Sequence, residues 1–170
     1  MGLLEPHGRH RERDGEAGVS GRIAGIARHA VSRGPIETLD SVEISVAAGL
    51  AGNRHGPVAP GGRGRRQVSL IEAEDWADAM AAVGADLPWW ERRANLLVED
   101  FDLPHGGGVK VRIGEDVVLS ILAEIDPCER MEELAPGLFD VLRTGWRGGA
   151  GGKVIQGGIV RVGDPIRIET

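Results

Sequence analysis

The sequence predicts a mainly β protein, a closed or nearly closed β-barrel with a few peripheral α-helices. Three observations point there. Short apolar segments recur along the chain, several with strict in-and-out alternation. Glycine-rich turns separate them. Only one long stretch keeps helical spacing.

In chain order, Gly21 to His29 reads as a strand, with Ile23 and Ile26 among small residues. Ser41 to Val46 alternates, Val42, Ile44 and Val46 on one face against Ser41, Glu43 and Ser45. Gly49 to Arg66 is a Gly/Arg/Pro stretch too long for an ordinary connection, which marks it as functional or disordered. Gln67 to Ile71 is a short strand. Glu72 to Val83 is the helix: Ala73, Trp76, Met80 and Val83 share a face, and Gly84 stops it. Asn95 to Val98 is another strand. Val109 to Ile113 and Val117 to Ile125 form a hairpin across Gly114-Glu115-Asp116. Short helical turns fall between Glu129 and Leu142. Ile159 to Val162 and Pro165 to Ile168 are read as a closing hairpin.

Bulk properties narrow the function. A chain of 170 residues fits one domain with its own apolar core. Residues 1–18 are polar and charge-rich and read as a disordered tail, leaving 19–170 as the domain. The net charge of -6 disfavours nucleic-acid and membrane-surface roles. No apolar run approaches the roughly 20 residues of a spanning helix, and the N-terminus lacks a signal-peptide core. A single cysteine excludes an internal disulfide and a Cys-rich zinc site, which fits a reducing, cytoplasmic setting. Lys110 and Lys153 are the only lysines, so nearly all positive charge is arginine, the residue suited to bidentate phosphate and carboxylate recognition. Genomic base composition explains part of that skew.

Several chemistries are absent by motif. There is no G-x-S-x-G and no H-E-x-x-H, and the histidines are scattered. The run Gly148 to Val154 imitates a phosphate loop but places Arg147 where its first glycine belongs and Val154 where Ser or Thr would hold magnesium. It reads as a flexible structural loop.

Two groups of residues remain. In Asp126-Pro127-Cys128-Glu129-Arg130, Asp126 suits an N-cap and Pro127 the first helical position. Cys128 would then sit at a helix N-terminus, where backbone N–H groups and Arg130 favour a thiolate. Such a thiolate is a nucleophile, a persulfide carrier or a soft-metal ligand; the alternative is a small buried cysteine. The other group is Arg54, His55, Arg63, Arg65, Arg66, Arg92, Arg93 and Asn95, which invites an anion pocket. A solvated basic loop is the alternative, above all for Arg63 and Arg65.

Together these pieces resemble the MOSC family, the domain at the C-terminus of molybdenum cofactor sulfurases. Gly49 to Gly56 is similar to its G-I-x-G-D-R-H segment, and Arg66 to Ile71 to its R-Q-V-T-L-I strand. Arg93-Ala94-Asn95-Leu96 resembles R-E-N-I/L, and Pro127-Cys128 its Pro-Cys. Gly157 to Asp164 resembles the closing G-x-V-x-x-G-D segment. Asn53 and Ala94 stand where the family often has carboxylates, which leaves any acid-base role there unfilled.

The resemblance implies a MOSC-type β-barrel serving the molybdenum cofactor, a pterin with a dithiolene and a phosphate. It implies Arg54, His55, Arg66, Arg93, Asn95 and Arg130 as cofactor-binding residues, and Cys128 as the catalytic thiol or molybdenum ligand. Three readings stay open: a sulfurtransferase using a Cys128 persulfide, a molybdenum-dependent reductase of N-hydroxylated compounds, and a non-catalytic cofactor carrier. The first needs a cysteine desulfurase as partner, because the chain is too short for a pyridoxal phosphate domain of its own. The second needs an electron-donor protein.

Overall fold

The computed structural model describes residues 20–170, so the expected tail at 1–18 lies outside the described residues. Seven strands close into a barrel. They are β1 (Gly21–Arg28), β5 (Val68–Glu72), β6 (Leu96–Glu99), β7 (Val109–Ile113), β8 (Val117–Glu124), β9 (Ala150–Gln156) and β11 (Pro165–Ile168). Around the ring the order is β1, β6, β5, β9, β8, β7 and β11, which pairs back onto β1. β2 (Glu37–Leu39) adds to the outside of β1. β3 (Ser41–Ser45), β4 (Gly49–Leu50) and β10 (Gly158–Arg161) form a separate small sheet. Every barrel contact is antiparallel except that between β5 and β6. Parallel neighbours need a crossover, and the crossover carries helix α1 (Ala73–Val83) and a 3₁₀ turn, Trp89–Arg92.

The barrel interior is filled by branched side chains from alternate strand positions, among them Ile23, Ile26, Leu70, Leu96, Leu119, Ile121 and Ile166, all buried. Each contributes roughly 1.5–3 kcal/mol by burial. A smaller apolar layer lies against the outside of the barrel. There Ile71 of β5 meets Trp76 and Met80 of α1, Met131 of α2 (Glu129–Leu134), and Leu138 and Leu142 of α3 (Leu138–Leu142). Gly84 caps α1 in the left-handed conformation, with φ 67°, as its position predicts.

Two expectations fail. Gly148 to Val154 is no loop: most of it is β9, buried between β5 and β8. Glycine is required because the neighbouring backbone crowds it; a Cβ on Gly151 would stand 2.3 Å from the Arg65 carbonyl, in the segment leading into β5. The closing hairpin is also wrong. β10 pairs with β3 in the small sheet, while β11 closes the barrel against β1 and β7. Asp164 ties the corner between them, its Oδ2 accepting from the Arg161 N–H at 2.8 Å. Among the described residues no helix is long and apolar enough to cross a membrane.

Candidate functional site

The long segment after β4 is pinned rather than loose. Gly49 adopts φ 64°, and a Cβ on Gly56 would fall 1.9 Å from the Ala48 carbonyl, so the two glycines let the chain fold back on itself. Gln67 is buried and holds the fold-back: its Nε2 donates to the Val46 and Gly56 carbonyls, and its Oε1 accepts from the Val154 N–H at 2.9 Å. Asn53 is buried beside β1, its Oδ1 accepting from the His29 N–H at 3.2 Å. Arg54 and His55 are thereby carried to the end of β1.

There they meet side chains from distant parts of the chain. One cavity of about 240 Å³ is lined by His29, Arg33, Arg54, His55, Arg66, Arg92, Arg93, Asn95, Cys128, Arg130 and Gly148, with a few apolar neighbours. All seven residues named from the sequence therefore share one cleft. Arg63 and Arg65 do not line it, as the solvated-loop alternative has it. The lining holds six arginines and no aspartate or glutamate.

The individual roles differ. Cys128 is exposed. Helix α2 starts later than Asp126 and Pro127 suggest, so Cys128 is its N-cap, with extended backbone at φ -112° and ψ 174°. Arg93 sits in the left-handed region at φ 65°, closing the 3₁₀ turn, and its Nη2 donates to the Gly34 carbonyl. Asn95 is committed to the scaffold. Its Oδ1 accepts from the Ser69 N–H at 3.0 Å and the Ser69 hydroxyl at 3.1 Å, and its Nδ2 donates to the Ala27 carbonyl at 3.1 Å. It joins β1, β5 and the entry to β6, and so sets where Arg93 stands.

The electrostatics follow from this crowding. Burial, then the Arg93, His55, Arg54 and Arg130 charges, push the His29 imidazole down to about 4. Burial and the Arg66 and Arg54 guanidiniums also lower His55. The rings meet edge to face with centroids 6.2 Å apart. Both imidazoles are thus neutral at physiological pH, and the cleft's positive charge is arginine. His29 and Arg33 are wall residues that sequence reading missed; nothing near His29 in sequence signals that it faces His55.

A family model for the MOSC domain matches residues 51–167, which covers most of the chain. The chain belongs to the MOSC domain family. No curated protein matches it in sequence. Among solved structures, it is similar to the YuaD protein of Bacillus subtilis, with 21% identity and a TM-score of 0.68 over 86% of this chain and 94% of that one. It is also similar to YiiM of Geobacillus stearothermophilus, with 13% identity and a TM-score of 0.66 over 88% and 75% of the two chains. YiiM of Escherichia coli gives 14% identity and a TM-score of 0.63 over 88% and 70%. These likenesses establish the fold.

The MOSC domain is associated with the molybdenum cofactor, and the cleft's donor set suits such a group. Guanidiniums without lining carboxylates match an anionic phosphate, and an exposed thiol matches a soft metal or transferable sulfur. Among the described residues no three His, Cys, Asp or Glu side chains gather as a metal site.

Proposed function

We propose that this MOSC protein carries sulfane sulfur on Cys128 and delivers it inside a cleft that holds an anionic, pterin-type cofactor or partner group. The observation that carries the reading is the exposed thiol at a cavity lined by six arginines and no carboxylate. Arg54, Arg66, Arg93 and Arg130 would hold the phosphate of a molybdenum cofactor, with the Asn95 scaffold fixing Arg93. When bound, the cofactor would supply a metal with open positions for sulfur or substrate oxygen.

The sulfur step balances without an external oxidant. The Cys128 thiolate attacks the outer sulfur of a donor persulfide, such as one on a cysteine desulfurase. A new S–S bond forms at Cys128, the donor's S–S bond breaks, and the donor leaves as a thiolate. An acceptor nucleophile later takes the terminal sulfur and Cys128 returns to its thiolate. The arginines would stabilise the anionic sulfur at each stage.

The test is intact mass of the protein after incubation with a persulfide-loaded cysteine desulfurase. The gain of one sulfur on Cys128, lost on adding cyanide or dithiothreitol, is the expected result. No gain, together with molybdenum that co-purifies and depends on Cys128, would replace this reading with the N-hydroxyl reductase. Cofactor binding with neither property would leave a carrier.

A further inference from the structure

We infer that Arg33 is a further anion-binding residue of the cleft, held at the rim by Glu133 and released inward to an anion that enters. This rests on the reading of the cleft as an anion site. Arg33 belongs to the connection between β1 and β2, a strap that runs along the cleft wall. His29, Ser32 and Arg33 of this strap all line the cavity. Its far end is tied down: the Gly34 carbonyl accepts from Arg93 Nη2, and the Gly34 N–H donates to the Val31 carbonyl at 3.0 Å. Before that anchor Ala30, Val31, Ser32 and Arg33 are all exposed, so little packing fixes the strap in one place.

Arg33 itself sits in the left-handed region at φ 56°, which a residue with a side chain rarely adopts and which concentrates at ligand clamps. Its Nη1 stands 3.9 Å from Glu133 Oε2 on α2, with the two side chains 70% and 61% exposed. That separation is too long for a hydrogen bond and both groups are well hydrated, so the pair holds weakly. Among the described residues it is the one ion pair made by an arginine of the cleft wall, and Glu133 itself does not line the cavity. The other five wall arginines come from the segment after β4, the 3₁₀ turn and its end, and α2. Their like charge disfavours a sixth guanidinium turned inward. An anion among them reverses that balance and offers Arg33 charge-assisted hydrogen bonds in exchange for a loose surface pair. The exchange needs only the exposed part of the strap to shift.

The test titrates inorganic pyrophosphate calorimetrically, at low ionic strength, into the wild type, Arg33→Gln, Glu133→Gln and the double variant. Both positions are exposed, so all four proteins are expected to fold. Arg33→Gln is expected to bind about tenfold more weakly. Glu133→Gln is expected to bind about threefold more tightly, because Arg33 no longer leaves a partner to reach the anion. The double variant should match Arg33→Gln, since Glu133 acts only through Arg33. Equal binding by the wild type and Arg33→Gln would overturn the proposal, as would an unchanged Glu133→Gln. So would a tightening by Glu133→Gln that persists without Arg33, which marks a direct effect of the carboxylate on the ligand. Amide exchange of the strap gives a second readout: pyrophosphate should slow it in the wild type but not in Arg33→Gln, and equal slowing in both overturns the inward movement. A wild type that binds no pyrophosphate removes the anion reading and this inference together, whereas binding that ignores Arg33 removes the inference alone.

Discussion

Arginine behaves in two ways in this molecule. Several arginines on the outside of the barrel are paired with carboxylates. Arg112 grips Glu169 with two bonds of 2.7 Å, Arg22 meets Glu99, and Arg28 donates to Glu37 at 3.0 Å. The Arg112 bond in turn holds the Glu169 carboxyl below the usual range. In the cleft Arg92 and Arg93 donate to backbone carbonyls, and no carboxylate lines the wall. A chain with net charge -6 therefore maintains a positive hole. Net charge governs solubility and broad partner classes, while the local set of groups governs what a pocket will hold. Surface pairs contribute little to stability; unpaired, partly desolvated arginines are kept where an anion is to be bound.

The largest break in that contrast comes from the sulfur. Cys128→Ser is expected to abolish sulfur loading and alkylation while moving the melting temperature by no more than about two degrees, because an exposed thiol packs little. Mass spectrometry and thermal unfolding check both halves.

Next is the anchorage that delivers Arg54 and His55. Gly56→Ala drives a Cβ into the Ala48 carbonyl, and is expected to cost about 2–4 kcal/mol in urea unfolding. The loss should exceed that of removing any surface arginine. A stability equal to the wild type would mean that the segment is free to move.

A direct comparison of the two arginine classes follows. Arg93→Ala is expected to weaken binding of inorganic pyrophosphate by about tenfold in calorimetric titration. Arg112→Ala should leave that affinity unchanged and shift the melting temperature by about a degree at most. Equal effects from both would dissolve the distinction.

The smallest effect is on pH. His29 binds its proton more weakly in the folded protein, at about 4, than in the unfolded chain, near 6.5. Its contribution to stability is therefore complete above about 6.5 and is lost as pH falls toward 4. Partial exposure screens the effect, so a melting-temperature loss of a few degrees is expected across that window. His29→Gln should flatten it. Added pyrophosphate should also offset it, since an anion among the arginines makes the imidazolium less unfavourable.

The sequence by itself determined much of this protein. Alternation and turn chemistry located most barrel strands, and helical spacing located α1. The single cysteine and the segments around Arg54, Arg66 and Arg93 marked the family and the cleft. Those signals are local: each depends on residues within a few positions of one another. Tertiary structure decided the rest. β9 was hidden because glycines carry no side chain to alternate, and only the crowding by β5 and β8 reveals why they are there. The partners of β10 and β11 were hidden because pairing is chosen by register and burial across the whole barrel, and a tight turn suggests the wrong neighbour. Asn95 proved to be scaffold, Arg92 a buried cation and His29 a suppressed base. Burial and charge at these positions come from groups as far apart in sequence as His29, Arg54, Arg93 and Arg130, and electrostatic energy depends on distance through space.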